Sequence, residues 1–264
     1  MPKRRLVRVA VIGTVVMLVS AGATWGQSTD PFEELHGSVA EVEVWTYGVE
    51  EKFGQSQEEW TAHALNLYDA NGNRIESTHY TEAGGIRERF VYEFDSTGRE
   101  TQADEFDMYG QLAGRTISRY EGSVQIERAY DSTGDLIGAY DTETKPGGSH
   151  IVTTYDSESG DVSSVMEFLY NGDGNLISWR ITAENGTPIS LIVYDYGEDG
   201  MDAISTASIY LLGVELMKVV LGTELSEVDE FGNWTEKRKH KLEERFGTEE
   251  WVLSSIERRS IIYR

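Results

Sequence analysis

The 264-residue sequence contains no cysteine and only four prolines. The lack of cysteine excludes disulfide bonds, thiolate metal ligands, a cysteine nucleophile and a lipid-modified cysteine. Basic residues are also scarce, because 23 Lys and Arg stand against 46 Asp and Glu, for a net charge of −23. A chain this acidic repels nucleic acid and anionic membrane surfaces, so we expect neither as a partner. Its charge instead favours solubility of a sheet-rich protein.

Long apolar runs are missing except for one near the N-terminus. That run follows four basic residues and is followed by the small residues Ala-Gly-Ala that end at Ala23. This order predicts a secretory signal peptide over residues 1–23, with cleavage after Gln27 or a retained membrane anchor as alternatives. We expect a short linker over 24–36 and one β domain over 37–264, in a protein that is periplasmic or secreted.

Glycine recurs through the β domain at steps of 12 to 14 residues, in segments such as "YDANG" (68–72) and "FDSTG" (94–98). Such a step fits one β-strand plus one turn. Asp at the first turn position and Gly at the fourth are typical of a type I turn that closes a β-hairpin. We assign the following residues to turns: Asp69, Gly72, Asp95, Gly98, Asp107, Gly110, Asp131, Gly134, Asp156, Gly160, Gly174 and Gly232.

The residues between the turns have the alternation expected of strands. Segment 89–94, for example, places Phe90, Tyr92 and Phe94 on one face and Arg89, Val91 and Glu93 on the other. Segment 209–222 is mostly apolar and could be helix or strand, and we favour two strands around Gly213 over a helix. The pattern predicts an all-β fold, a long antiparallel meander of hairpin repeats with roughly fourteen to sixteen strands. A single sheet that long must curl or wind.

Several of these segments carry a resemblance to a known family. They are "YDANGNRI" (68–75), "FDSTGRE" (94–100), "YDSTGDLI" (130–137), "YDSESGDV" (155–162) and "YNGDGNLI" (170–177). The chain resembles the YD-repeat (RHS-like) secreted proteins of bacteria, in particular small members without a toxin domain. The resemblance implies a β-hairpin repeat architecture, and it implies no catalytic or ligand-binding residue because many small members have no assigned function.

Residue patterns for catalysis, cofactor binding or metal binding are not found. None of the five histidines lies at ligand spacing from another, and the Asp-containing turns lack the spacing of a calcium-binding loop. No nucleophile elbow, phosphate-binding loop or zinc-binding helix is present. We therefore expect no enzyme, no cofactor and no metal.

The main functional prediction is a non-enzymatic extracytoplasmic repeat protein that presents a curved β surface to an unknown protein or glycan. Trp45, Trp60 and Trp179 are the candidate contact residues for such a partner. One alternative is an outer-membrane transmembrane β-barrel, although segments such as 73–80 offer no unbroken apolar face. A further alternative is a glycan-active enzyme, which would need two carboxylates close together in a cleft.

Overall fold

The structure is a computed structural model that describes residues 35–52, 55–172, 175–196, 202–211, 214–245 and 248–264. The predicted signal peptide, most of the 24–36 segment and the turn residue Gly174 lie outside the described residues. No helix in the described part of the chain is long and apolar enough to cross a membrane.

The described residues form sixteen strands and no helix, which confirms the all-β antiparallel meander. The strands are β1 (Val39–Lys52), β2 (Gln55–Tyr68), β3 (Arg74–Tyr80), β4 (Ile86–Phe94), β5 (Glu100–Asp107), β6 (Leu112–Glu121), β7 (Val124–Asp131), β8 (Leu136–Thr144), β9 (His150–Tyr155), β10 (Val162–Tyr170), β11 (Leu176–Ala183), β12 (Pro188–Tyr196), β13 (Asp202–Leu211), β14 (Val214–Val228), β15 (Trp234–Arg245) and β16 (Thr248–Tyr263). The apolar segment 209–222 is therefore two strands, β13 and β14.

Each strand pairs with its neighbours in sequence, and the last strand pairs with the first. The β1–β16 pairing is antiparallel and runs from Val39 opposite Tyr263 to Gly48 opposite Ser255. The sheet is thus a closed barrel, so the prediction of a curled or wound open sheet is wrong in that respect. Closure depends on pairing between residues some two hundred positions apart, and no local repeat signals such a pairing.

Closure also corrects the main functional prediction. The prediction of an open curved β surface that binds a protein or glycan is wrong, because the two sheet edges that would bound such a surface pair with each other. A closed sheet has a convex outer face and a concave face that encloses a lumen. The barrel fold favours the alternative of a β-barrel over that of an open repeat surface.

In most of the predicted hairpin turns, Asp occupies the first position and Gly the fourth, as a type I turn favours. In the first turn the Gly72 N–H donates to the Asp69 carbonyl at 3.1 Å, and Gly72 has a φ of 85°. The Asp69 carboxylate accepts the Asn71 and Asn73 N–H groups at 2.8 and 2.9 Å. The turn residues Gly98, Gly110, Gly134, Gly160 and Gly232 likewise have positive φ. Each such turn reverses the chain within five or six residues and so fixes the register of one hairpin.

Adjacent glycines in one turn give a matched test of this geometry. Gly84 has a φ of 79°, whereas Gly85 lies outside the left-handed region and a Cβ there would meet only the Thr81 hydroxyl at 3.5 Å. We expect Gly84→Ala to lower the free energy of unfolding by about 1–2 kcal/mol, because a side chain disfavours left-handed backbone. Gly85→Ala should change it by less than about 0.5 kcal/mol. Denaturant titration of both variants measures the difference, and equal effects would contradict the turn assignment.

Side-chain bonds reinforce the seam between the first and last strands. The Asn233 side chain is 1% exposed, and its oxygen accepts the His36 N–H at 2.6 Å. Its amide group donates to the His36 carbonyl at 2.8 Å and to the Tyr263 hydroxyl at 2.6 Å. The guanidinium of Arg264 donates to the Val39 carbonyl at 2.9 Å and to the carbonyl of Tyr68. These bonds join the start of β1, the end of β16 and the β14–β15 turn.

Candidate functional site

Strand register and burial together identify the lumen face. Met166, Ile181 and Ser190 are direct partners across β10, β11 and β12, so their side chains lie on one face. All three are buried, and Ile181 is only 2% exposed, whereas Val193 on the other face is 44% exposed. Side chains crowd on the concave side of a closed sheet and spread apart on the convex side. The sheet face that holds Ile181 is therefore the lumen face. Direct strand pairing then identifies the residues that lie on this face in the other strands.

Two carboxyl groups are buried on the lumen face of β5 and β7. Glu100 is 9% exposed and Glu127 is 3% exposed. Ser118, directly opposite Glu127 on β6, donates its hydroxyl to Glu127 Oε1 at 3.2 Å. Glu127 Oε2 is buried without a hydrogen-bond partner. Burial raises the pKa of Glu127 to about 7, while burial and the neighbouring charge of Glu127 raise the pKa of Glu100 to about 8.

Tyrosines and one arginine surround these two carboxyl groups. The Tyr120 hydroxyl donates to the Glu100 carbonyl at 2.9 Å, and burial with the two nearby carboxylates raises the pKa of Tyr120 to about 12. The guanidinium of Arg74 lies 5.0 Å from the centre of the Tyr92 ring. Its charge offsets part of the rise in the pKa of Glu100. This acidic wall, formed by Glu100 and Glu127, therefore keeps most of its protons at neutral pH and gains negative charge as the pH rises further.

The opposite wall of the lumen is basic. Lys237 on β15 is 0% exposed, and its Nζ lies 2.7 Å from Oε2 of Glu257, its direct partner on β16. The Lys239 ammonium lies 2.5 Å from the other oxygen of Glu257. Burial alone would raise the pKa of Glu257, but the two ammonium groups hold it below its usual range. The guanidinium of Arg259 lies 3.8 Å from the centre of the Trp234 ring, on the same wall.

The ring order places these two walls across the lumen from each other. Strands β7 and β15 are eight positions apart in a ring of sixteen, whichever way the ring is followed. Between the walls, β10 and β11 place stacked aromatic rings on the lumen face, with the Phe168 and Trp179 ring centres 6.1 Å apart. The lumen thus has an acidic wall, an aromatic and aliphatic sector, and a basic wall.

The outer face carries ion pairs between adjacent strands, beside exposed apolar side chains such as Val193, Ile204 and Ile262. Arg115 on β6 makes two bonds, of 2.6 and 2.8 Å, to its direct partner Asp104 on β5. Arg180 and Glu167 are direct partners at 2.5 Å on β11 and β10. Further pairs on this face are Arg128–Asp141, Arg238–Glu236, Arg258–Glu236 and Arg258–Glu58. These groups need water or protein around the barrel at the strands that carry them.

The three predicted contact tryptophans do not form one site. Trp45 lies on the outer face, where it stacks on His63 with ring centres 5.5 Å apart and an interplanar angle of 2°. Trp60 lies on the same face opposite Tyr47. Trp179 faces the lumen beside Phe168. Trp179 therefore lies on the opposite face of the sheet from the other two and at least six strands away from them around the ring.

The lumen residues were missed by the sequence reasoning, although part of the signal was present. Lys237, Lys239 and Lys241 alternate along β15, which places three ammonium groups on one face of a strand. Glu127 lies between Ser118 of β6 and Tyr140 of β8, but that grouping needs the register of three strands. Among the described residues, no group of three or more His, Asp or Glu side chains is arranged to hold a metal ion.

Comparisons with known proteins give only distant likenesses. No protein-family model and no curated protein match the chain. A porin-like protein from Bacteroides uniformis is 12% identical, with 86% of this chain and 99% of that chain covered and a TM-score of 0.42. A porin-like protein from Bacteroides vulgatus is 12% identical, with 86% and 98% covered and a TM-score of 0.24.

The TcdB2-TccC3-Cdc42 structure is 10% identical, with 81% of this chain but only 16% of that chain covered, and its TM-score is 0.20. Likenesses this weak carry no argument about function. The resemblance to YD-repeat proteins stays a prediction.

Proposed function

We propose that this chain is a β-barrel of the bacterial cell envelope that acts through its lumen, by binding or passing small polar solutes. The pairing of β1 with β16 carries the proposal, because it turns one face of the meander into an enclosed surface. That face carries carboxyl groups on β5 and β7 and ammonium groups on β15, which make it polar. The predicted signal peptide supports a place outside the cytoplasm.

The outer face favours a barrel that is surrounded by water. An arginine that faces lipid costs about 2–4 kcal/mol at the middle of a membrane. Arg115, Arg128 and Arg180 lie on the outer face of β6, β7 and β11, each paired with a carboxylate of an adjacent strand. Most strands between β3 and β12 have only six to nine residues. A soluble barrel of the periplasm or cell exterior accommodates both features.

A transmembrane pore is the second candidate, and the closed ring of sixteen strands favours it. Barrels of this strand number enclose an aqueous channel. Strands β1, β2, β14 and β16, with 14 to 16 residues each, also exceed the length that a membrane-spanning strand requires.

Expression without the predicted signal peptide separates the two candidates. We expect a monodisperse, folded protein in detergent-free buffer, and no ion conductance when it is added to planar bilayers. Recovery of folded protein only in detergent, together with stepwise conductance, would establish the pore and contradict the water-surrounded barrel.

Single cysteines test for an enclosed lumen, because the natural chain has none. Thr116 on β6 faces the lumen, and its neighbour Ile117 faces outward. In Thr116→Cys we expect a small thiosulfonate to react, while a maleimide with a long polyethylene glycol chain reacts at least about tenfold more slowly than in Ile117→Cys. Equal rates with the bulky reagent would show that both faces are open and would contradict the proposal.

A further inference from the structure

The regular pairing of the barrel breaks between β14 and β15 at one end. The β14–β15 pairing stops at Leu221 opposite Lys241. Beyond that point β14 stays paired with β13 as far as Val214, and β15 stays paired with β16 as far as Arg245. The two hairpins therefore separate, and each presents one side of its backbone to the gap.

A cleft of about 300 Å³ lies in this gap. The residues at its sides are Lys218, Val219 and Val220 of β14 and Lys241, Leu242 and Glu243 of β15. In an antiparallel strand, the N–H and C=O groups of alternate residues point to opposite neighbours. Half of those groups in segment 214–220 are used by β13, and the other half point toward the cleft. The same holds for the last residues of β15.

The β14 edge also carries the apolar exposure of an association site. Val214 and Leu216 are 64% and 62% exposed. Segment 55–62 of β2 is another free edge, which extends beyond the pairing with β3 and carries the adjacent exposed carboxylates Glu58 and Glu59. Charges on a free edge oppose pairing with another strand, whereas apolar residues invite it. The β14 edge also carries Glu215 and Lys218, but its apolar residues Val214, Leu216 and Met217 are all exposed.

We infer that the cleft between the β13–β14 and β15–β16 hairpins binds an extended strand of a partner polypeptide. The strand pairs with β14 on one side and β15 on the other, and so continues the sheet where the barrel leaves it open. Three carboxylates, of Glu243, Glu244 and Glu249, line the cleft against the ammonium groups of Lys218 and Lys241. The partner strand is therefore neutral or basic, and it alternates apolar with polar residues.

Hydrogen exchange with a synthetic probe tests this site. The probe is a peptide of four Thr-Val repeats ending in lysine, and its control is the same peptide with alternate amides N-methylated. We expect the probe to slow exchange in segments 214–220 and 242–245 by at least about tenfold and to leave segment 55–62 unchanged. The N-methylated peptide should have no effect because it cannot pair on both sides. No protection by the probe, or equal protection of segment 55–62, would overturn the inference.

A reversible lock provides the matched control. Val220 and Leu242 follow the last β14–β15 pair, so the Val220→Cys/Leu242→Cys variant should form a disulfide that closes the cleft. The reduced variant should respond to the probe as the natural protein does, and the oxidised variant should lose the response. If no disulfide forms, Leu216→Lys supplies the test, since it removes an exposed apolar side chain of the β14 edge and should abolish the protection. Protection that persists in either blocked form would contradict insertion at this cleft.

Discussion

Replacing the buried Glu127 with glutamine should stabilise the protein at pH 8.5 by on the order of 3 kcal/mol and change its stability little at pH 5. Burial raises the pKa of Glu127 to about 7 from its ordinary value of 4.5. At pH values between these two pKa values, the Glu127 carboxyl keeps its proton in the folded state and releases it in the unfolded state. The free energy of unfolding therefore falls as the pH rises through this window, at about 1.4 kcal/mol per pH unit. Glutamine cannot ionise, so the Glu127→Gln variant loses this part of the decrease in the free energy of unfolding.

Ionisation of Glu100 should also lower the free energy of unfolding as the pH rises, and over a wider pH range. Burial and the charge of Glu127 raise the pKa of Glu100 to about 8. Denaturant titrations at pH 5 and pH 8.5 on the natural protein and on Glu127→Gln measure the effect. Glu121→Gln is the control, since Glu121 is exposed at the end of β6. If Glu127→Gln and Glu121→Gln keep the same pH dependence as the natural protein, the buried acidic wall does not exist.

The second large effect should come from Asn233. Its side chain bonds both the N–H and the C=O of His36 and also the Tyr263 hydroxyl. Asn233→Ala removes all three bonds, each worth about 0.5–1.5 kcal/mol, while the Tyr263 hydroxyl keeps its bond to Asp229. We expect a loss of about 3 kcal/mol or more in the free energy of unfolding, with faster hydrogen exchange confined to β1 and β16.

Asn185→Ala provides the comparison for this prediction. Asn185 lies in the exposed turn between β11 and β12, where its side chain accepts only the Thr187 N–H at 3.0 Å. That variant should lose about 1 kcal/mol or less. A loss in Asn233→Ala no larger than in Asn185→Ala would show that the bonds to His36 and Tyr263 do not hold the seam.

The strands and turns could be predicted from the sequence because their causes are local. Gly72, Gly98 and Gly134 occupy left-handed positions that few other residues tolerate, and the Asp that begins each turn binds the turn backbone. The split of segment 209–222 into two strands followed from the same spacing. The regular repeat therefore contains enough information for the meander.

Closure and the lumen could not be predicted because their causes are distant in sequence. Val44 and Arg259 meet as direct partners across the seam, and nothing near either residue marks the other. In an open sheet neither face is enclosed. The sequence alone therefore could not show that the side chains of Glu127 and Lys237 face a lumen. Gly232 was assigned to a turn, but the partners of the next residue, Asn233, include the segment before β1 and the end of β16, which the sequence does not mark.

One disulfide tests the closed barrel most directly. Glu43 on β1 and Ser260 on β16 are direct partners on the outer face, and cysteines at such positions lie within disulfide reach. Under mild oxidation a closed barrel predicts a rapid bond in Glu43→Cys/Ser260→Cys, seen as faster migration on a non-reducing gel. Glu43→Cys/Ile262→Cys, a diagonal pair about 7–8 Å apart, should react much more slowly. If neither variant forms the bond while both are folded, β1 and β16 are free edges, and the barrel with its lumen is wrong.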